Sequence, residues 1–119
     1  MSWDDEAATW DEGAFQRAYA AAAYASLRAA VKRAGVALAG ARICDFGCGT
    51  GLLTERIAPV ASHIDGVDIS AGMLAVLADK ASRAGWGHVH GHRALPPVGE
   101  PYDLVVCSSV CAFLDDYPG

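Results

Sequence analysis

The sequence predicts an α/β fold: an open parallel sheet with helices on both faces. Short apolar runs alternate with helix-length stretches along most of the chain. One run, Ile43 to Phe46, leads straight into glycines at alternate positions, Gly47, Gly49 and Gly51, with a helix pattern from Leu52 beyond them. A second run ends in an acid, Asp68, and is followed by Ser70, a residue that caps helices. Strand, glycine turn and helix form the entrance of a nucleotide-type site in such sheets, because glycine turns sharply and lets backbone approach a ligand.

The elements follow in chain order. Thr9-Trp10-Asp11-Glu12 has the form of a capping box, so a helix should follow it. Phe15, Tyr19, Ala22, Ala23, Leu27, Ala30, Val31 and Ala34 are spaced as one apolar stripe, and Gly35 is a suitable stop. Residues 1–36 thus read as an N-terminal helical cap, whose start, with Trp3 and Trp10, could cover a sheet face or also lid a pocket. Residues 37–119 read as the domain that carries the site. Ala41 to Phe46 is its first strand, and the helix from Leu52 ends before Pro59. Ile64 to Ile69 is the second strand. The helix after Ser70 should bury Met73, Leu74, Leu77, Ala78 and Ala81 and close at Gly85. His88 to Gly91 makes a third strand and Tyr102 to Cys107 a fourth, joined by a proline-rich loop. The fourth strand is apolar along its length with no outer neighbour in the sequence that follows, a liability for an edge. The fold is therefore expected to be truncated after it, this chain holding the first part of a longer domain, or to self-associate or pair with another chain through the open sheet edge.

Composition bounds the function. At 119 residues, 53% apolar and 19% charged, the chain suits one globular domain. A net charge of −5 argues against partners that are nucleic acids or anionic membranes. The acidic N-terminus has no signal-peptide core, and the Ala-rich run is short of a membrane span, so a cytoplasmic location with reduced thiols is expected. Cys44, Cys48, Cys107 and Cys111 fall in two C-x3-C pairs, not the spacing of common zinc sites, and read as small buried apolar residues. His88, His90 and His92 alternate on an edge strand with no further ligand nearby, so no metal is expected.

Two acids sharpen the reading of the glycine turn. A carboxylate after the second strand, Asp68, suits the paired hydroxyls of a ribose. Asp45, at the mouth of the turn, would repel a pyrophosphate by several kcal/mol at short range and intermediate dielectric. The turn thus favours a ligand with a ribose, an adenine and a cationic group over a nicotinamide dinucleotide.

Asp45-Phe46-Gly47-Cys48-Gly49-Thr50-Gly51, Gly66-Val67-Asp68-Ile69-Ser70 with Met73-Leu74, and Tyr102-Asp103-Leu104-Val105 together resemble the class I S-adenosylmethionine-dependent methyltransferases, over residues 41–114. The resemblance implies a Rossmann-like sheet, S-adenosyl-L-methionine as cofactor, and methyl transfer by in-line displacement to a small-molecule substrate. It implies that Asp45, Gly47, Cys48 and Gly49 line the methionine end of the cofactor. Asp68 would hold the ribose, Ile69 would pack on the adenine, and Cys107 and Ser108 would line the other side. That family often has Gly-Asp-Ala after the third strand, its acid on the adenine amino group. Here Gly91-His92-Arg93-Ala94 stands, leaving His92 as the residue to meet the base. No Asp/Asn-Pro-Pro-Tyr motif follows the fourth strand, which argues against methylation of DNA bases or glutamine. No residue is assigned as catalytic base; Asp115 and Asp116 read as solvated acids. The rival readings are a non-catalytic or fragmentary cofactor-binding domain that pairs with another chain and, behind it, a nicotinamide-dependent oxidoreductase.

Overall fold

A computed structural model of the chain describes residues 13–97 and 99–107. The capping box at Thr9–Glu12 and the expected helix from Ser108 lie outside them. In chain order the elements are α1 (Ala14–Ala34), β1 (Arg42–Phe46), α2 (Leu52–Ile57), β2 (His63–Val67), α3 (Ala71–Ala84), β3 (Val89–His92) and β4 (Leu104–Val106). The strands lie in the order β3-β2-β1-β4, and every neighbouring pair is parallel. The Rossmann-like parallel sheet expected from the alternation is thus what the chain forms, with each strand bound within a residue or two of expectation.

Helix ends are set by glycines. At the end of α1, Gly35 has φ 70°, its N–H donating to the Lys32 carbonyl and that of Val36 to Val31. Gly85 (φ 73°) closes α3 in the same way, with Trp86 donating to Ala81. Both are Schellman caps, which satisfy two orphan carbonyls and need a residue without a Cβ at the left-handed position. At the other end of α3 the Ser70 hydroxyl accepts from the Met73 N–H at 3.2 Å, as its sequence position predicts.

The core lies between the helices and one face of the sheet. Ile43, Ile64 and Val89, on three adjacent strands, meet Ile57 of α2 and Leu77 of α3, with Tyr24 and Leu27 of α1 packed against them. Strand alternation then sends Arg42, Cys44, His63, Asp65, His90 and His92 to the second face. The expectation of helices on both faces is met on the first; among the described residues, the second is reached by the segment from β3 to β4. Tyr102 of that segment donates to Asp65 at 2.6 Å, and Glu100 lies 3.5 Å from Arg42.

Two expectations for the core need correction. The buried line of α1 runs through Ala20, Tyr24, Leu27 and Val31, while Phe15 (76% exposed), Tyr19, Ala22, Ala30 and Ala34 face solvent. Alanines occupy every side of this helix, so the larger residues set its phase. Ala78 of α3 is likewise exposed, because Met73, Leu77 and Ala81 already define the buried line one hundred degrees away.

Glycines also make room for Leu77. A Cβ on Gly51 would lie 2.4 Å from its Cδ1, and one on Gly66 3.1 Å from its Cδ2 and 2.9 Å from Cys48 Sγ. The helix after β2 therefore sits against the glycine turn after β1, and that contact fixes the geometry of the site.

Candidate functional site

The carboxyl ends of β1 and β2 are adjacent, Phe46 being paired with Val67. The Val67 carbonyl accepts from the N–H of Gly47 at 2.7 Å and of Cys48 at 3.1 Å, folding the chain back over the end of the sheet. Gly47 (φ 74°), Gly49 (φ 56°) and Gly51 (φ 89°) carry the turn in the left-handed region. Among the described residues a Cβ on Gly49 would meet nothing within 4 Å, so they leave open space there. The Gly49 N–H donates to Asp68 Oδ2 at 2.9 Å, and that of Gly51 to the Cys48 carbonyl at 3.0 Å. Four N–H groups that would cradle a phosphate are already bonded inside the protein. This agrees with the preference for a cation that Asp45 suggests.

Asp45 is 1% exposed. Its Oδ2 accepts from the Thr54 hydroxyl at 3.0 Å, while Oδ1 is buried with no hydrogen-bond partner among the described residues. Burial pushes its pKa up to about 7, against the pull of the Thr54 hydrogen bond and with a further push from the negative Asp68. A buried carboxylate with one oxygen unsatisfied is costly, and a cation supplied at Oδ1 would relieve it. Asp68, half-buried, holds the two turns together: Oδ2 takes the Gly49 N–H and Oδ1 the Ser70 N–H, both at 2.9 Å. Each oxygen keeps further acceptor capacity for a ligand hydroxyl.

The remaining expected site residues divide. Ile69 stands next to Asp68 with its side chain 75% exposed. Cys107 follows Val106, the partner of Asp45 in the sheet, and so lies at the same sheet end on the β4 side, exposed. Cys48 is 3% exposed, with its sulfur turned toward Gly66 in the core and burial pushing its thiol pKa up, so only its backbone borders the turn. Strand parity turns His92 to the second face, where its Nε2 lies 2.9 Å from Asp65 Oδ1. Ser108 lies outside the described residues.

The three histidines do not act together. His88 precedes β3 and meets the Ala58 carbonyl at 2.7 Å, and the His90 ring lies 5.2 Å from that of His63. On the second face Asp65 collects His63 at 3.0 Å, His92 and the Tyr102 hydroxyl. Burial pushes Asp65 up, but the hydrogen bonds from Tyr102, His92 and His63 outweigh it and hold its pKa below the usual value. Among the described residues no group of His, Cys, Asp and Glu is arranged to hold a metal ion.

Two residues of the site were missed in the sequence. Thr54 holds Asp45 from nine positions away, and Arg93 donates from Nε (3.3 Å) and Nη2 (3.1 Å) to the Ile69 carbonyl. The first pairs turn to helix and the second strand end to strand end, contacts that no local pattern encodes.

Comparison with known proteins gives a consistent result. The methyltransferase domain family matches residues 44–119. Ubiquinone biosynthesis O-methyltransferases of Aromatoleum aromaticum and Ruegeria pomeroyi are 29% and 35% identical over 83 and 81 residues, each match taking in 66% of this chain. The matches cover 36% and 33% of those proteins, so the chain spans about a third of the length of the curated relatives it matches. Magnesium protoporphyrin IX methyltransferase from Synechocystis, solved with bound SAM, superposes with a TM-score of 0.57 at 31% identity, covering 71% of this chain and 42% of that one. An S-adenosylmethionine-dependent methyltransferase from Clostridium acetobutylicum gives 0.59 at 23% identity, over 71% of this chain and 34% of that one, and bears on the fold alone.

Proposed function

Since the chain belongs to the methyltransferase domain family, we propose that it binds S-adenosyl-L-methionine at the carboxyl end of β1 and β2 and serves methyl transfer to a small-molecule acceptor. The observation that carries this reading is Asp45 Oδ1, a buried carboxylate oxygen without a partner among the described residues, beside a turn where the N–H groups of Gly47, Cys48, Gly49 and Gly51 are already bonded. That combination suits an ammonium and not a phosphate.

When bound, the cofactor supplies a methyl group activated on a sulfonium. The chain's own part is to hold and orient it. Asp45 takes the ammonium, and Gly47 and Gly49 allow the methionine end close approach. Asp68 accepts from the ribose hydroxyls without releasing Gly49 or Ser70, because each oxygen has a second lone pair. Ile69 covers the adenine, and Cys107 borders the far side. Preorganised placement of this kind serves a displacement whose rate depends on alignment and exclusion of water.

The relatives' names support a small molecule as acceptor, and the net charge of −5 supports the absence of a nucleic-acid partner. Among the described residues no helix is long and apolar enough to cross a membrane. The buried thiols of Cys44 and Cys48 support a reducing, cytoplasmic setting. A second reading is favoured by one observation: among the described residues β4 lies at the edge of the sheet with Val105 67% exposed, a surface through which the chain would pair with another copy or subunit.

Calorimetric titration with S-adenosylhomocysteine tests the proposal. Binding with one site per chain is expected, weakened at least about thirtyfold in Asp68→Ala, the loss of two hydrogen bonds to a charged group. No heat at millimolar ligand, or preferential binding of NADH, would reject it.

A further inference from the structure

The segment after β2 is fastened at three successive residues. The Asp68 N–H donates to the His92 carbonyl at 3.0 Å, and the Ser70 N–H donates to Asp68 Oδ1 at 2.9 Å. Between them the Ile69 carbonyl accepts twice from one side chain, Arg93 Nε at 3.3 Å and Nη2 at 3.1 Å. The Ile69 side chain contributes nothing to the core, being 75% exposed. A guanidinium thus holds the backbone of a residue whose apolar side chain is kept in solvent.

We propose that Arg93 is the positioning residue of the base wall, fixing the Ile69 peptide so that the isoleucine side chain is presented to a purine before the ligand arrives. This rests on the S-adenosylmethionine reading given above. Isoleucine is stiff about χ1, so fixing its backbone fixes the surface it offers. Arginine suits the task because its planar fork places two donors on one oxygen and remains charged at every working pH. Its own base is steady: the preceding residue, His92, is paired with Asp65 at 2.9 Å on the second face, and the His92 carbonyl is bonded to Asp68. The clasp therefore runs from the sheet through β3 to the wall. A wall set in advance lowers the ordering cost of binding.

A double-mutant cycle tests the proposal, with S-adenosylhomocysteine titrated into the full chain, Arg93→Ala, Ile69→Ala and the double variant. Arg93→Ala is expected to bind about fivefold more weakly, the scale of ordering one residue's backbone that is no longer fixed in advance. Ile69→Ala should lose about tenfold. If Arg93 acts through Ile69, the double variant binds within about twofold of Ile69→Ala alone. Arg93→Lys, which keeps the charge and one donor, should recover part of the loss and replaces the alanine variant should that fail to fold. Unchanged affinity in Arg93→Ala, or losses that multiply in full in the double variant, would overturn the proposal and leave the cofactor reading intact. Failure of the unsubstituted chain to bind S-adenosylhomocysteine would overturn both.

Discussion

Asp45→Asn separates the charge of the buried carboxylate from its hydrogen bond to Thr54. The asparagine carbonyl can still accept from the Thr54 hydroxyl, but the side chain no longer titrates. In the folded chain Asp45 has a pKa near 7 against an ordinary value of 3.8, chiefly through burial. A raised carboxylate favours folding while protonated: its contribution is fully present below pH 3.8 and is lost as the pH rises through 7. At 1.36 kcal/mol per unit, that rise corresponds to about 4 kcal/mol between the ends of the window, a large fraction of a typical domain's stability. The assay is urea unfolding of both proteins from pH 4 to pH 8, without ligand. Groups common to both, Asp65 among them, cancel in the difference. Asparagine adds a cost of its own, since its amide N–H meets no partner at the Oδ1 position, on the order of 1–3 kcal/mol at every pH. The diagnostic quantity is therefore the slope. The variant should gain on the parent steadily from pH 4 to pH 7, by about 4 kcal/mol in all, and the gain should then level off. A stability difference that does not change with pH would refute the reasoning, because it would mean that Asp45 titrates alike in both states.

Other consequences concern the same turn and its support. Binding of S-adenosylhomocysteine at pH 6 should release a proton as its ammonium pulls the Asp45 pKa down, seen as a dependence of the calorimetric enthalpy on the buffer's ionisation heat; Asp45→Asn should abolish that dependence. Gly49→Ala places a Cβ in open space but at φ 56°, so it should cost only about 1–2 kcal/mol of stability while weakening the ligand by more than tenfold. Gly66→Ala should destabilise the fold by about 1–3 kcal/mol in urea, because its Cβ would sit 2.9 Å from Cys48 Sγ and 3.1 Å from Leu77 Cδ2.

Much of the frame is legible in the sequence, for reasons that can be named. Parallel strands buried on both faces leave near-continuous apolar runs, and left-handed positions demand glycine, so β1, the turn and α2 can be read without tertiary knowledge. The place of Asp68 is legible because an apolar strand precedes it and a helix-capping serine follows it. His92 is not, because a side chain at a strand end faces one side or the other according to register, and a single residue decides which. The same holds for Asp65, whose partners His92 and Tyr102 come from 27 and 37 residues further along the chain. The phase of α1 is hidden for a different reason: alanines on every side leave Tyr24, Leu27 and Val31 to set it by packing. The Arg93 clasp on the Ile69 carbonyl lies beyond sequence reading altogether, since any exposed arginine near a loop has the same local signature.

The most direct test of the turn's preference for a cation is a crystal structure of the chain with S-adenosylhomocysteine bound. The ammonium is predicted within hydrogen-bond distance of Asp45 Oδ1, with the ribose hydroxyls on Asp68 and the base against Ile69. A ligand whose ammonium lies away from Asp45, or which leaves Oδ1 still unpartnered, would contradict the account.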